Sequence, residues 1–174
     1  EIDTREQFGH WEMDTVVGKQ GASKKSLLVL TERKTRYEII FMLPHHTMAE
    51  VVKALDRLER QTGTRLFRDI FKTITVDNGS EFQDDEGMER SCRNKKKKRT
   101  KIYYCHPYCS CERGSNENQN RLIRRHIPKG INFDDKTQGD ANRIQSWMNN
   151  YPRRLLDNRT AQECYNEEME KLAA

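Results

Sequence analysis

Three β-prone segments crowd into the first 43 residues, and only short polar connections join them. His10–Val17 (HWEMDTVV), Ser26–Glu32 (SLLVLTE) and Tyr37–Leu43 (YEIIFML) are rich in aliphatic, aromatic and β-branched side chains. The connections cover residues 18–25 and 33–36. Parallel neighbours need a crossover of about a dozen residues or more, so connections this short favour an antiparallel meander.

The rest of the chain alternates. Pro44 ends the third segment. Thr47 and Glu50 form a capping-box pattern, and Met48, Val51, Val52, Leu55 and Leu58 recur at helical spacing. Thr47–Thr62 is therefore predicted as a helix with one apolar stripe, closed by Gly63. Thr73–Asp77 reads as a fourth strand entering an Asn78-Gly79 turn, and Lys101–Cys105 as a fifth, ending at His106-Pro107. Further helices are predicted over Ser115–Ile127, Asp140–Asn150 and Ala161–Leu172. This order predicts an α/β domain. A chain of 174 residues suits a single domain, with a core over roughly 8–150 and a helical extension over 151–174. It opens on Glu1 rather than Met, which reads as a piece of a longer protein. No apolar run approaches the roughly 20 residues that span a bilayer, and no secretory signal pattern is present. With five cysteines read as reduced thiols, a cytoplasmic setting is expected.

Three acidic residues stand in distinctive settings. Asp14 lies inside the first strand, where a buried carboxylate is costly unless paired or bound to metal. The alternative puts it on a solvent-facing side together with Glu12. Asp77 ends an apolar strand where a turn begins, the usual place for sites in α/β sheets. Asp-Asn-Gly is also good turn chemistry in its own right. Glu117 shares a helix face with Asn120, Arg121 and Arg124, opposite a core stripe of Leu122, Ile123, His126 and Ile127. An ordinary solvated helix is the alternative there, but the amides Asn116, Asn118, Gln119 and Asn120 are poor helix formers that suit phosphate and base contacts. Two carboxylates at strand ends and one on a helix can converge into an all-oxygen site for hard cations such as Mg²⁺.

Charge is unevenly spread. Residues 1–87 carry 13 Lys/Arg against 16 Asp/Glu, and residues 88–174 carry 19 against 11. A basic C-terminal half suggests a polyanion, most commonly nucleic acid, although a solvated charged face has the same composition. The candidate DNA contacts are Lys24, Lys25, Asn78, Arg113, Asn116, Asn120, Arg121, Arg124, Arg125 and Lys129. The run Lys95–Arg99 is read as an exposed loop that touches DNA backbone or only solvent.

Asp77-Asn78-Gly79-Ser80-Glu81-Phe82, followed by Arg-Gly-Ser-Asn-Glu-Asn-Gln-Asn-Arg-Leu-Ile-Arg-Arg over 113–125, resembles the catalytic core of DDE transposases and retroviral-type integrases. The closer similarity is to bacterial transposases of the insertion-sequence-30 family, through Gly9-His10-Trp11-Glu12-x-Asp14, Glu32-Arg33-Lys34-Thr35-Arg36-Tyr37 and Ile127-Pro128-Lys129-Gly130. The resemblance implies an RNase H-like fold, a mixed five-stranded sheet flanked by helices. It implies Asp14, Asp77 and Glu117 as the catalytic and metal-binding triad, with two Mg²⁺ or Mn²⁺ ions. It implies DNA ends and target DNA as partners, strand cleavage followed by strand transfer, a homodimer or larger assembly, and an upstream DNA-binding module that this chain lacks. A nuclease without strand transfer and an inactive DNA-binding remnant are the alternatives. The sequence departs from the family pattern at Cys109, Cys111 and Ala161, where Ser, Trp and Pro are usual. Cys105, His106, Cys109 and Cys111 look like a soft-metal cluster, but no second cysteine pair stands near enough for a zinc site.

Overall fold

The computed structural model describes residues 6–105 and 114–174, with side chains in the second stretch from residue 118 onward. Five strands form one mixed sheet in the order β3-β2-β1-β4-β5. β1 (His10–Val17), β2 (Ser26–Glu32) and β3 (Glu38–Leu43) make the expected antiparallel meander. β4 (Thr73–Val76) and β5 (Lys101–Tyr104) join it in parallel, β4 against β1 and β5 against β4. The parallel pairs are reached through helical crossovers, as their geometry demands. α1 (Met48–Thr62) and α2 (Thr64–Ile70) connect β3 to β4, and α3 (Asp85–Glu89) lies between β4 and β5. α4 (Gly114–His126), α5 (Gln138–Asn150) and α6 (Ala161–Ala173) follow.

Strand alternation divides the core into two layers. Trp11 and Met13 of β1, Leu28 and Leu30 of β2, and Ile74 and Val76 of β4 pack against the apolar stripe of α1. Trp11 is fully buried there, stacks on Phe71 and donates its indole N–H to the Ile70 carbonyl at 2.8 Å. Val16, Leu27, Val29 and Ile40 point the other way and meet Leu122, Ile123 and Ile127 of α4 and Ile144 and Met148 of α5. His126, expected in that stripe, is exposed and packs edge-on to Trp147 instead.

β3 is an edge strand, yet its backbone is not open. Three amides of α5 take the place of a neighbouring strand. Gln138 Oε1, Gln145 Oε1 and Asn149 Oδ1 accept from the N–H groups of Met42, Ile40 and Glu38, each at 2.8 Å. Gln138 Nε2 and Asn149 Nδ2 return the bond to the carbonyls of Ile40 and Glu38. A strand edge saturated in this way offers no template for a second chain.

The run Lys95–Arg99 is only in part the exposed loop expected of it. Lys95–Lys98 are exposed, but Arg99 is 1 % exposed and enters the core. Its guanidinium binds Asp56 at 2.5 Å and Glu59 at 3.3 Å and donates to the carbonyls of Met88 and Gly87. A fully buried guanidinium so saturated is a structural group, unavailable to DNA.

Candidate active site

β1 and β4 set the two aspartates side by side. His10 lies opposite Thr73, Trp11 opposite Ile74 and Glu12 opposite Thr75. Continuing that register by two residues brings Asp14 beside Asp77, on neighbouring strands roughly 4.8 Å apart. Alternation then fixes the face. Asp14 has the parity of Val16, which packs beneath α4, and Asp77 has the parity opposed to Ile74 and Val76, which pack beneath α1. Alternation thus places Asp14 on the α4 side of the sheet, and Asp77 follows directly on the last residue of β4.

α4 closes over Asp14. Asn120 Nδ2 donates to Asp14 Oδ2 at 2.9 Å, while Asp14 Oδ1 accepts the Thr15 N–H at 2.9 Å. Asp77 Oδ1 accepts the Gly79 N–H at 2.9 Å, the expected Asx-turn bond. Glu117 belongs to the first turn of α4, three residues before Asn120, so its backbone position adjoins that of Asn120 on one helix face. The Glu117 side chain lies outside the described residues. The solvent-facing alternative does not hold for Glu12, which is fully buried and pairs with Arg33 at 3.1 Å, whereas Asp14 is half-buried.

A fourth carboxylate, which the sequence reading passed over, stands beside this pair. The short 3₁₀ turn Ser80–Phe82 brings Glu81 back toward β1. Its Oε1 accepts the Thr15 hydroxyl at 2.6 Å and lies 2.9 Å from His46 Nε2. Burial pushes the Glu81 carboxyl up, but the Thr15 bond and the nearby His46 outweigh it and leave the group below the usual range. Gly79 makes room for the arrangement. A Cβ there would lie 2.6 Å from Glu81 Oε2 and 2.9 Å from Asp77 Oδ1, so no larger residue fits without displacing them. The turn signature Asn78-Gly79 was visible in the sequence, but nothing in it pairs His46, on the β3–α1 connection, with Glu81.

Among the described residues, no three His, Cys, Asp or Glu side chains are gathered into a metal cage. Asp14 and Asp77, at the same end of neighbouring strands, carry hard oxygen donors, the donor type that suits Mg²⁺ or Mn²⁺ and not a soft thiophilic ion.

The candidate DNA contacts divide into groups. Lys24, Lys25, Arg124 and Lys129 line one open cavity of about 600 Å³ beside the end of β1. There the backbone N–H groups of Lys24 and Lys25 both bind Asp134 Oδ1, and Arg124 donates to the Val17 carbonyl at 2.9 Å. Asn120 is committed to Asp14. Asn78 ties the strand ends together, Nδ2 donating to the Cys105 carbonyl at 3.2 Å. Arg121 and Arg125 stand exposed on α4. Arg113 and the side chain of Asn116 lie outside the described residues, as do His106, Cys109 and Cys111. Among the described cysteines, Cys92, Cys105 and Cys164 form no disulfide.

Comparison with known proteins supplies the family. Residues 4–111 match the integrase core domain. The chain is 34% identical over 166 residues to the transposase for insertion sequence element IS4351 of Bacteroides fragilis, covering 95% of this chain and 47% of that protein. It is 32% identical to the transposase InsI for insertion sequence element IS30C of Escherichia coli K12, covering 93% and 39%. The chain therefore spans less than half the length of these relatives. Among solved structures, the catalytic core domain of BIV integrase superposes with a TM-score of 0.68 at 17% identity, over 97% of this chain and 100% of that one. At that identity the likeness is one of fold, and it bears out the RNase H-like sheet expected from the sequence.

Proposed function

The chain belongs to the integrase core domain family, and on that premise we propose that it is the catalytic domain of an insertion-sequence transposase. Asp14, Asp77 and Glu117 are its triad. The observation that carries this reading is the β1–β4 register, which continued by two residues sets Asp14 opposite Asp77, with Asn120 of α4 bonded to Asp14. Mg²⁺ or Mn²⁺, as two ions, would be held by these three residues and would supply an activated hydroxyl and charge stabilisation of the leaving oxygen.

The chain's own groups prepare that site. Asn120 holds one oxygen of Asp14, and the Thr15 and Gly79 N–H groups fix the remaining orientation of the two aspartates. Their rotamers are set before substrate arrives. Lys24, Lys25, Arg124 and Lys129 line a groove beside the end of β1, where phosphates of bound DNA would meet cations without any demand on sequence. Transposon ends and target DNA are the substrates, cut to a 3′-hydroxyl that then attacks the target strand. Joining two ends calls for a homodimer or larger assembly, and recognition of the ends calls for a module outside this core of residues 1–174. No described helix is long and apolar enough to cross a membrane, and a bacterial cytoplasmic location fits DNA as substrate.

The decisive variant is Glu117→Gln. It is expected to abolish Mn²⁺-dependent nicking of labelled element-end DNA while DNA affinity measured in EDTA stays unchanged. A Glu117→Gln chain that nicks at the wild-type rate removes Glu117 from the triad. Calorimetric titration of Mn²⁺ into the wild type and Asp14→Asn reads metal binding independently of turnover.

A further inference from the structure

A second basic groove, of about 480 Å³, opens on another flank of α4. Asn118, Leu122 and Arg125 form its α4 wall, and Tyr151 to Leu155 form the opposite one. Arg121 stands on the ridge between the two flanks, because it also lines the cleft shared by Thr15, Asn120 and Arg124. Arg121 is thus shared by this groove and by the cleft that holds Thr15, the neighbour of Asp14, and Asn120, its hydrogen-bond partner.

Five arginines line it, Arg36, Arg121, Arg125, Arg153 and Arg154, and among the described residues no carboxylate does. They are not equivalent. Arg36 and Arg153 are buried and lie near the fully buried Glu38. Arg153 is further fixed by Gln119 Oε1 at 2.8 Å and the Met148 carbonyl at 3.1 Å. These two make a rigid floor. Arg121, Arg125 and Arg154 are exposed, and none is ion-paired with a carboxylate among the described residues. The loop that carries Arg154 is held in shape. Arg153 and Arg159 bridge across it, Asn158 N–H binds the Arg153 carbonyl at 2.9 Å, and Asp157 and Asn158 adopt left-handed φ of 55° and 63° to close the turn. Guanidinium groups on a fixed frame, with no acidic partner among the described residues, are suited to bidentate phosphate contact.

We propose that this groove binds the phosphodiester backbone of DNA flanking the scissile bond, with Arg121, Arg125 and Arg154 each on a phosphate. The proposal rests on the DNA-joining reading above and extends it by a second contact surface. A polymer is the occupant because Arg121 belongs to both clefts, so one continuous polyanion can reach from the carboxylates into the groove. Tyr151, exposed and packed at 4.9 Å on Trp147, provides a flat wall for the sugar-phosphate chain.

The test is the salt dependence of binding to a fluorescein-labelled duplex of about two helical turns, read by anisotropy in EDTA with the whole chain. Each phosphate contact contributes roughly 0.9 to the slope of log affinity against log salt. Arg125→Ala/Arg154→Ala is expected to lose about 2 from that slope, so its deficit against wild type shrinks about tenfold between 50 and 200 mM salt. Arg154→Lys should keep the slope, and so should Lys53→Ala, which removes an exposed cation from α1 on the other face of the sheet. An unchanged slope in the double variant overturns the proposal. So does a double variant that loses self-association by sedimentation at unchanged DNA affinity, since the groove would then seat a second copy. Because EDTA removes the chemistry, the two readings separate. A chain that binds through the groove but never nicks contradicts only the triad, and one that nicks with an unchanged slope in the variant contradicts only the groove.

Discussion

Asn120 holds the most informative side-chain contact in the site. Its amide donates to the one Asp14 oxygen that the Thr15 N–H leaves available. A residue that orients a metal-binding carboxylate from behind typically governs affinity by 10- to 100-fold. Asn120→Ala is expected to weaken Mn²⁺ binding, and nicking with it, by about that factor, and calorimetric Mn²⁺ titration measures it directly. Unchanged affinity would reduce Asn120 to a packing role. The sequence reading chose Asn120 as a DNA contact because amides suit bases and phosphates. Helix face and residue type were legible, but not the partner, since only tertiary folding brings α4 against β1. The strand positions of Asp14 and Asp77 were legible for the opposite reason. Both lie on or at the end of strands whose apolar runs mark themselves, and their separation of 63 residues repeats the His10–Thr73 register. Glu81 was missed because its role depends on a turn of three residues and on a histidine from another connection.

Among the elements, the strands could be read nearly to the residue, because β-branched runs between polar connections leave little freedom. α2 and α3 could not. Seven and five residues are too few for a helical period to declare itself, and α2 follows α1 after a single glycine. α5 was expected from Asp140 but begins two residues earlier, where Thr137 and Asp140 form a reciprocal capping box. Its unforeseen role is to seal the β3 edge. Gln138, Gln145 and Asn149 are spaced to fall along one helix face, a pattern that reads as solvated polarity until the strand beneath is known. Asn149 is 2 % exposed and serves both the N–H and the carbonyl of Glu38. Asn149→Ala leaves two buried backbone groups unsatisfied and is expected to cost about 1–3 kcal/mol each at most, read by urea denaturation. A loss below about 0.5 kcal/mol would mean that water replaces the amide without penalty.

For the whole molecule, buried carboxylates of opposite character make stability depend on pH in two windows. Glu59 lies in the core and burial pushes its carboxyl up, yet bonds from the Ser91 hydroxyl, the Cys92 N–H and the Thr64 hydroxyl hold it down at about 2. Its contribution is present above its unfolded value near 4.5 and is lost as pH falls toward 2. Glu38 behaves in reverse. Burial raises it to about 8 against the pull of Arg153 and the Thr31 hydroxyl. Between about 4.5 and 8 the folded chain keeps a proton that the unfolded chain has released, so stability declines as pH rises, by at most about 1.4 kcal/mol per pH unit. The charged groups facing Glu38 are Glu12, Arg36 and Arg153, and Arg153 connects it to the floor of the arginine groove. Glu38→Gln keeps the shape and an acceptor for Thr31 but has no proton to lose. Urea melts at pH 5, 6, 7 and 8 should show the wild type losing stability steadily while the variant stays nearly level. Parallel pH slopes in the two proteins would mean that Glu38 is already ionised in the folded chain, held by Arg153 and Arg36. A level variant would identify one buried proton on β3 as the main source of the decline at neutral pH.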